Sequence, residues 1–499
     1  MKRVRGRLLV LVGLAVALAI ALPDATQATS FHEIKKLTAS DAEARDYLGR
    51  SVAIGGDIAV VRGNRATYIF LRNEGGAANW GEATLLTDAT ADPASNGSVA
   101  VSGDTVIVGA NEDNARGRDA GAAYVFQRDA GGTDSWGEVI MLTASDAEAG
   151  DRFGASVAIS GDIAVVGAAY EDGDAMAPED VDRRALGQVD TGAVYLFQRD
   201  AGGTDNWGEV TKLTASDGLA QDYFGWSVAV SSDTVVVGAP FGETDSQASG
   251  PVYVFQRDAG GTDNWGEVNK LTASDAQRDF FGGSVAVSGD TIVVGAHAQD
   301  YYIGAAYVFQ RDAGGTDNWG EVKKLRASDG EADRVGDNNF GQSVAISSDT
   351  VVVGEEGGTL WESGAGAAYV FQRDQGGTDN WGEVTKLTAS DAMAGSGFSR
   401  SLAVSGDTVV VGDCCLRFTE LAGAAYIFDL LLSNPKGDAN CDGIINAADA
   451  TLILQLRAGI LGSLPCADGA DVNGDGNITS VDAALILQFT AGLLESLPP

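Results

Sequence analysis

From Phe281 to Leu325, short runs of alternating apolar and polar residues are separated by Gly- and Asp-rich segments. Val285–Val287 and Thr291–Val294 flank a Ser-Gly-Asp turn, the composition of a tight hairpin. Ala305–Gln310 alternates small, aromatic and β-branched residues; a Gly-Gly-Thr-Asp-Asn turn then leads into the amphipathic run Trp319–Leu325. A period of two, punctuated in this way, predicts a four-stranded antiparallel meander. One such sheet cannot bury its own faces, so copies must pack on each other.

The copies follow in register. The first strand opens with Ser-Val-Ala or Ser-Leu-Ala at Ser51, Ser98, Ser156, Ser227, Ser284, Ser343 and Ser401. The third carries Tyr-x-Phe at Tyr68, Tyr124, Tyr195, Tyr253, Tyr307, Tyr369 and Tyr426. The Trp-Gly-Glu that opens the fourth appears only at Trp80, Trp136, Trp207, Trp265, Trp319 and Trp381, so the seventh copy lacks its last strand. That strand is at the other end of the chain: Phe31–Asp41 aligns without a gap on Trp381–Asp391. An orphan fourth strand at the start and a three-stranded copy at the end predict a closed ring, a seven-bladed all-β propeller over residues 29–432. A linear β-solenoid is the alternative, but it would want distinct capping repeats.

Charge and targeting narrow the function. With 33 basic and 70 acidic residues the net charge is −37, which repels nucleic acid and anionic lipid. Lys2, Arg3, Arg5 and Arg7 precede the apolar run Leu8–Leu22, which is short for a membrane span, and small residues lead to Ala28. This predicts a signal peptide over residues 1–28 and a secreted, extracellular or surface-associated product without membrane insertion. Four cysteines, Cys414, Cys415, Cys441 and Cys466, lie near the C-terminus with no CxxC spacing for zinc. For the adjacent pair Cys414 and Cys415, free thiols and a vicinal bridge are both open.

The repeats resemble the FG-GAP repeats of the integrin α-subunit propeller. The residues that carry the resemblance are Phe153-Gly154 with Gly167-Ala168, and Phe224-Gly225 with Gly238-Ala239-Pro240. Phe281-Gly282 with Gly295-Ala296, and Phe340-Gly341 with Gly354, continue the series, while Phe398-Ser399 departs from it. Integrin-type repeats often hold calcium between the first two strands. Here that connection offers a single carboxylate, as in Ser231–Thr234, too few oxygens for the ion, so the aspartate is expected to cap its turn. The Arg257–Trp265 hairpin and its copies loosely resemble the Asp-box turn of sialidases, with a structural role expected: aspartate on turn amides and tryptophan between blades.

Recognition is expected on the face that carries the connections from second to third strand. The longest, Ala169–Thr191, holds Tyr170, Glu171, Asp172, Asp174, Arg183 and Arg184; other connections carry Phe241, Tyr301, Tyr302, Trp361 and Phe418. Tyr170, Asp172, Phe241, Tyr301, Tyr302 and Trp361 are the candidates for a protein or carbohydrate ligand. Catalysis finds little support: His32 and His297 are the only histidines, and no nucleophile motif accompanies them.

After a linker at 433–436 the pattern changes. Residues 437–499 contain two acidic loops, each feeding an amphipathic helix. Asp438, Asn440, Asp442, Ile444, Asn446 and Asp449 occupy loop positions 1, 3, 5, 7, 9 and 12. Asp471, Asn473, Asp475, Asn477, Thr479 and Asp482 repeat them, with Gly443 and Gly476 at the sharp turn. Oxygens at alternating positions suit calcium, as in an EF-hand loop, so two calcium ions are expected. The pair resembles the type I dockerin module, a small α-helical, EF-hand-like domain. The resemblance implies calcium-dependent docking onto a cohesin-bearing scaffold through Ala447, Ala448, Leu452, Ser480, Val481 and Leu485. A small module needs staples, and Cys441 with Cys466 is the expected disulfide.

Together these features predict a secreted, non-catalytic binding or adhesion protein. A glycoside hydrolase subunit of a polysaccharide-degrading complex and a structural adhesin with a calcium-stapled tail are the alternatives.

Overall fold

The computed structural model describes residues 30–64, 66–74, 79–86, 97–133, 135–172, 190–242, 249–275, 279–329, 338–356, 364–375, 377–393, 395–414, 422–431, 436–440, 445–464, 467–494 and 497. Ser30–Leu431 forms one compact unit, and the chain from Leu432 onward belongs to a second.

The first unit is a seven-bladed propeller of four-stranded antiparallel sheets. In the fifth blade the strands are Ser284–Ser288, Thr291–Ala296, Ala305–Gln310 and Gly320–Leu325. The second strand, Thr-Ile-Val-Val-Gly-Ala, is buried along its whole length because each of its faces meets a neighbouring blade. Its β-branched residues fit that doubly covered position. The seventh blade consists of Phe398–Ser405, Thr408–Asp413, Ala424–Leu431 and, outermost, the N-terminal strand Ser30–Leu37. The N-terminal strand closes the ring with Lys36 opposite Tyr426 and Leu37 opposite Ala425.

Seven apolar clusters cement the ring, each shared by two adjacent blades. Phe281, Val285, Ile292, Tyr307 and Trp319 of the fifth blade pack on Val236, Val252 and Val254 of the fourth. Across the closure, Leu37, Val410, Ala425 and Ile427 pack with Leu48, Val52, Tyr68 and Trp80. The tryptophans do pack between blades.

The Phe-Gly and Gly-Ala motifs have a joint steric meaning. A Cβ on Gly295 would overlap the Gly341 carbonyl of the next blade, and one on Gly412 would overlap that of Gly49. The same carbonyls accept hydrogen bonds from Ser284 Oγ (3.0 Å) and Ser401 Oγ (2.7 Å). One blade's glycine thus admits the backbone of the next.

A second inter-blade clasp is polar. The fourth strand of each blade carries a bulge that re-aims the glutamate before it; the bulged residue is exposed in some blades, as at Val210 and Ile34, and half-buried in others, as at Val268 and Val384. Glu321 accepts from Ser274 N (2.8 Å) and Ser274 Oγ (2.9 Å) on the loop entering its blade. The neighbouring Asp275 accepts from Tyr307 Oη (2.7 Å) and Lys324 Nζ (2.6 Å). At the closure Glu33 binds Ser390 through 2.7 and 2.9 Å bonds, and Asp391 binds Lys36 (2.5 Å) and Tyr426 (2.6 Å). The N-terminal strand therefore reproduces the register, the bulge and the clasp of a fourth strand.

Two turns differ in their polar detail. In the Asp258 hairpin the carboxylate does fold back, accepting from Asp263 N at 2.6 Å, and Asn264 Nδ2 donates to Gly260 O at 2.9 Å. The aspartate of the first hairpin does not cap its turn. Asp290 pairs with Arg311 (3.1 Å), while the turn amide of Gly289 donates to Ser231 Oγ of the previous blade (3.2 Å). The neighbouring hydroxyl has taken the amide, which frees the carboxylate for the arginine.

The second unit holds the helices Ala447–Arg457 and Ser480–Thr490 and the single turn Ala467–Ala470. Both long helices open with a capping box, Asn446 with Asp449 and Thr479 with Asp482, which satisfies their first free amides. Ala450, Ile453, Val472, Ala483 and Ile486 form a small core.

Candidate functional site

The better described acidic loop runs from Asp471 to Asp482. Asp471 accepts from Asp475 N (3.2 Å) and Gly476 N (2.7 Å), and Asp475 accepts from Asn477 N (2.8 Å). Gly474 and Gly476, at φ 69° and 82°, allow the chain to curl around these oxygens. Hydrogen bonds from Asn473 and Asn477 hold the Asp475 carboxyl below the usual carboxylate range. Asp482 is fully buried and accepts from Val472 N (2.9 Å), Asn473 N (3.1 Å), Thr479 N (2.7 Å) and Thr479 Oγ1 (3.0 Å). In the other loop Asp449, also fully buried, accepts from Ala439 N (2.9 Å), Asn440 N (3.2 Å) and Asn446 N (2.8 Å). Asp438 is buried beside it; Asp442, Gly443 and Ile444 lie outside the described residues.

The loops fit a hard cation. Three carboxylates, Asp438, Asp449 and Asp482, are withdrawn from water, and neither Asp449 nor Asp482 has a basic partner among the described residues. Backbone amides alone offset a buried charge incompletely, and a divalent ion would complete the neutralisation. No three carboxylate, imidazole or thiol groups converge among the described residues. The donors are instead carboxylate, amide and carbonyl oxygens in mixture, the set calcium takes.

Each helix presents an exposed strip. Ala447 and Ala448 begin one, and Ser480 and Val481 begin the other. Further along, Leu454 and Leu487 stand 44% and 43% exposed, and Ile460 and Leu493 lie open beyond the helix ends. Leu452 and Leu485 are half-buried against the core of the unit, two residues away from these exposed leucines. The sequence reading missed Leu454 and Leu487; the helical spacing of Ala447, Thr451 and Leu454 was the available signal.

Among the residues proposed for the propeller face, Tyr170 is half-buried beneath the Arg152 guanidinium, 4.7 Å from its ring centroid, and Phe241 is exposed. Tyr302 is exposed on the short helix Gln299–Tyr302. Asp172 accepts from Asp190 N at 2.9 Å. Glu171 is buried and held by Lys212 at 2.9 Å, so it belongs to the third blade's clasp. Asp174, Arg183, Arg184, Trp361 and Phe418 lie outside the described residues, as does the side chain of Tyr301.

Tyr223, Trp226 and Phe280, which the sequence reading passed over, join Tyr170 and Phe241 in one cluster. They flank Phe224-Gly225 and Phe281-Gly282, where the repeat motif masked them. His297 is stacked on Phe280, and burial pulls its pKa down to about 4. His32 lies exposed on the closing strand.

Cys414 is buried and disulfide-bonded, which removes the free-thiol alternative for it. Its partner is one of Cys415, Cys441 and Cys466, all of which lie outside the described residues.

A family model described as FG-GAP repeat matches seven times, over residues 31–70, 84–126, 136–197, 207–255, 265–309, 319–371 and 381–428. The first match begins on the closing strand, and the later matches that begin at a Trp-Gly-Glu run from one blade's fourth strand through the third strand of the next. A dockerin type I domain model matches residues 436–489, and no match to a curated protein was found. Both are non-catalytic domain types. Dockerin type I domains bind calcium, and the domain implies a cohesin-bearing partner in a cellulosome-like assembly. The chain belongs to the FG-GAP repeat family and carries a C-terminal dockerin type I domain.

Proposed function

We propose that this protein is an exported, non-catalytic recognition module, and that its dockerin, loaded with two calcium ions, fastens it to a cohesin-bearing scaffold. The observation that carries this reading is the repeated loop and helix, each with a buried position-12 carboxylate and an exposed strip of small and apolar residues. Asp438, Asn440, Asp442, Ile444, Asn446 and Asp449 hold one ion, and Asp471, Asn473, Asp475, Asn477, Thr479 and Asp482 hold the other. Calcium draws each loop against the start of its helix and fixes the angle between the two strips. Ala447, Ala448, Ser480 and Val481, extended by Leu454 and Leu487, form the docking surface, where desolvation of apolar side chains supplies most of the affinity.

Export rests on residues 1–28 acting as a signal peptide. The propeller then serves as a rigid stage whose strand-connecting face meets a ligand. The test is retention of the full chain on immobilised cohesin domains with calcium and with excess chelator. Retention only with calcium, weakened by Leu454→Asp or Leu487→Asp, supports the reading; retention that survives chelation overturns it.

A further inference from the structure

Six rings bridge the third, fourth and fifth blades in one chain of contacts. Tyr170 meets Tyr223 at 5.2 Å, and Tyr223 meets Trp226 at 6.2 Å and Phe241 at 5.1 Å. Phe241 meets Trp226 at 5.4 Å and Phe280 at 5.0 Å, and Phe280 stacks on His297 at 5.0 Å. Tyr170, Phe241 and His297 follow second strands; Tyr223, Trp226 and Phe280 precede first strands. Antiparallel pairing brings all six to the face that bears the strand-connecting loops. Trp226 and Phe241 are each 40% exposed at the middle of the arc.

The fold does not require these rings. Tyr223 and Phe280 occupy the position just before Phe-Gly, and both have φ 53°. That left-handed conformation is costly for a bulky side chain and suits asparagine, which the sixth blade has there as Asn339 at φ 54°. Two residues past Phe224 stands Trp226, where the third, fifth and sixth blades have Ala155, Gly283 and Gln342. The first blade also has an aromatic there, Tyr47 at φ 50°, but the connected run of rings is confined to consecutive blades and is kept against a backbone cost.

The chemistry of the arc is neutral. The Arg152 guanidinium lies over Tyr170 at one end. Burial keeps His297 uncharged at neutral pH at the other end. The nearby carboxylates are turned inward: Asp222 is buried and accepts from Leu219 N at 2.7 Å, and Asp279 is buried and accepts from Phe281 N at 3.2 Å. An uncharged aromatic strip on a chain of net charge −37 disfavours polyanions by long-range repulsion, and Asp222 and Asp279 beside it are tied up by backbone amides. Neutral pyranose rings meet both conditions. Their axial C–H groups pack on aromatic faces, and Trp226 and Phe241 are the rings of the arc open enough to receive them.

We infer that the arc from Tyr170 to His297 is a binding site for a neutral polysaccharide chain, with Trp226 and Phe241 as the stacking platform. The inference rests on the reading of the strand-connecting face as the recognition face and gives it a ligand class.

The test is affinity electrophoresis of the full chain through gels containing a neutral β-glucan, xylan or mannan, with alginate as the polyanionic control. At least one neutral glycan should retard the protein, and alginate should not. Trp226→Ala and Phe241→Ala should each weaken retardation about tenfold, whereas Val210→Ala, exposed on the fourth strand of the third blade, should leave it unchanged. Thermal melting of each variant checks that the propeller remains folded. Trp226→Phe, which keeps a ring, should recover part of the binding lost in Trp226→Ala.

Retardation by no neutral glycan, or retardation indifferent to both alanine variants, overturns the inference. If no glycan binds but a secreted protein is captured and lost with Trp226→Ala, the recognition face stands and the polysaccharide falls. If glycan binding maps to Val210, the ligand class stands and the arc falls.

Discussion

The two units solve the problem of buried polar groups in opposite ways. In the propeller each buried or half-buried carboxylate of the clasps has a protein partner, as Asp275 has Tyr307 and Lys324. In the dockerin, Asp449 and Asp482 are fully buried and meet only amides and a hydroxyl. Five of the seven blades supply a lysine to the clasp themselves; the dockerin takes its cation from solution. Seven apolar clusters, each spanning two blades, hold the first unit, whereas one cluster of small residues holds the second. Metal should therefore govern folding in one unit and be irrelevant in the other.

The contrast breaks most severely at the ring closure. Deleting residues 30–37 removes the partner of Ala424–Leu431 and opens the cluster around Leu37. The cooperative melting of the propeller should disappear in calorimetry, and added calcium should not restore it. Next in size is chelation, or Asp482→Ala, in the full chain. The dockerin transition should collapse, while the propeller transition keeps its temperature. A matched fall of both transitions would contradict the division.

A third test sits inside the propeller. Gly295→Ala drives a methyl group into the Gly341 carbonyl and should cost about 3 kcal/mol in denaturant unfolding. Gly289→Ala has open space around it and should cost only about 1 kcal/mol, through its φ of 55°. Equal costs would show that blades can separate to admit a side chain.

Acidity gives a smaller, two-signed effect. Hydrogen bonds from Lys270 and Tyr253 hold Asp217 below the usual carboxylate range, and those from Lys36 and Tyr426 do the same for Asp391. Their stabilisation is complete above about pH 4 and is lost as pH falls through their depressed folded values. Burial pushes Asp151 up to about 7 and Asp413 to about 6. These two bind protons in the folded state before the unfolded chain does, so stability rises as pH falls from about 7 toward 4. The melting temperature of the propeller should peak in mildly acidic buffer, and Asp151→Asn should flatten the approach from neutral pH. The smallest expected effect is Glu33→Gln, which weakens one exposed clasp and should cost less than about 1 kcal/mol.

Most of the fold was legible because it repeats. The match of Phe31–Asp41 to Trp381–Asp391 already encoded the closing strand, since equal sequence meets equal neighbours in a ring. Even the clasp had a trace: Lys212, Lys270, Lys324, Lys386 and Lys36 all lie opposite the repeated tyrosine, whereas Leu85 and Met141 stand there in the first two blades. The acidic loops were legible because their oxygen-bearing residues are close together in sequence. The aromatic arc was not, because its members come from five separate strand ends and become neighbours only after the blades pack. The docking helices fall between these cases: periodicity marked an apolar strip, but only the core could decide that Leu454 and Leu487, and not Leu452 and Leu485, face outward.

The N-terminal strand also sets the timing of assembly. Ser30–Leu37 is the first strand synthesised, yet its pairing partner, Ala424–Leu431, is the last strand of the propeller to be made. The earlier blades can stack as they emerge, but the circle stays open until nearly the whole chain is available, and loop closure over so long a span is slow. The circle therefore locks only after the last blade has been translated.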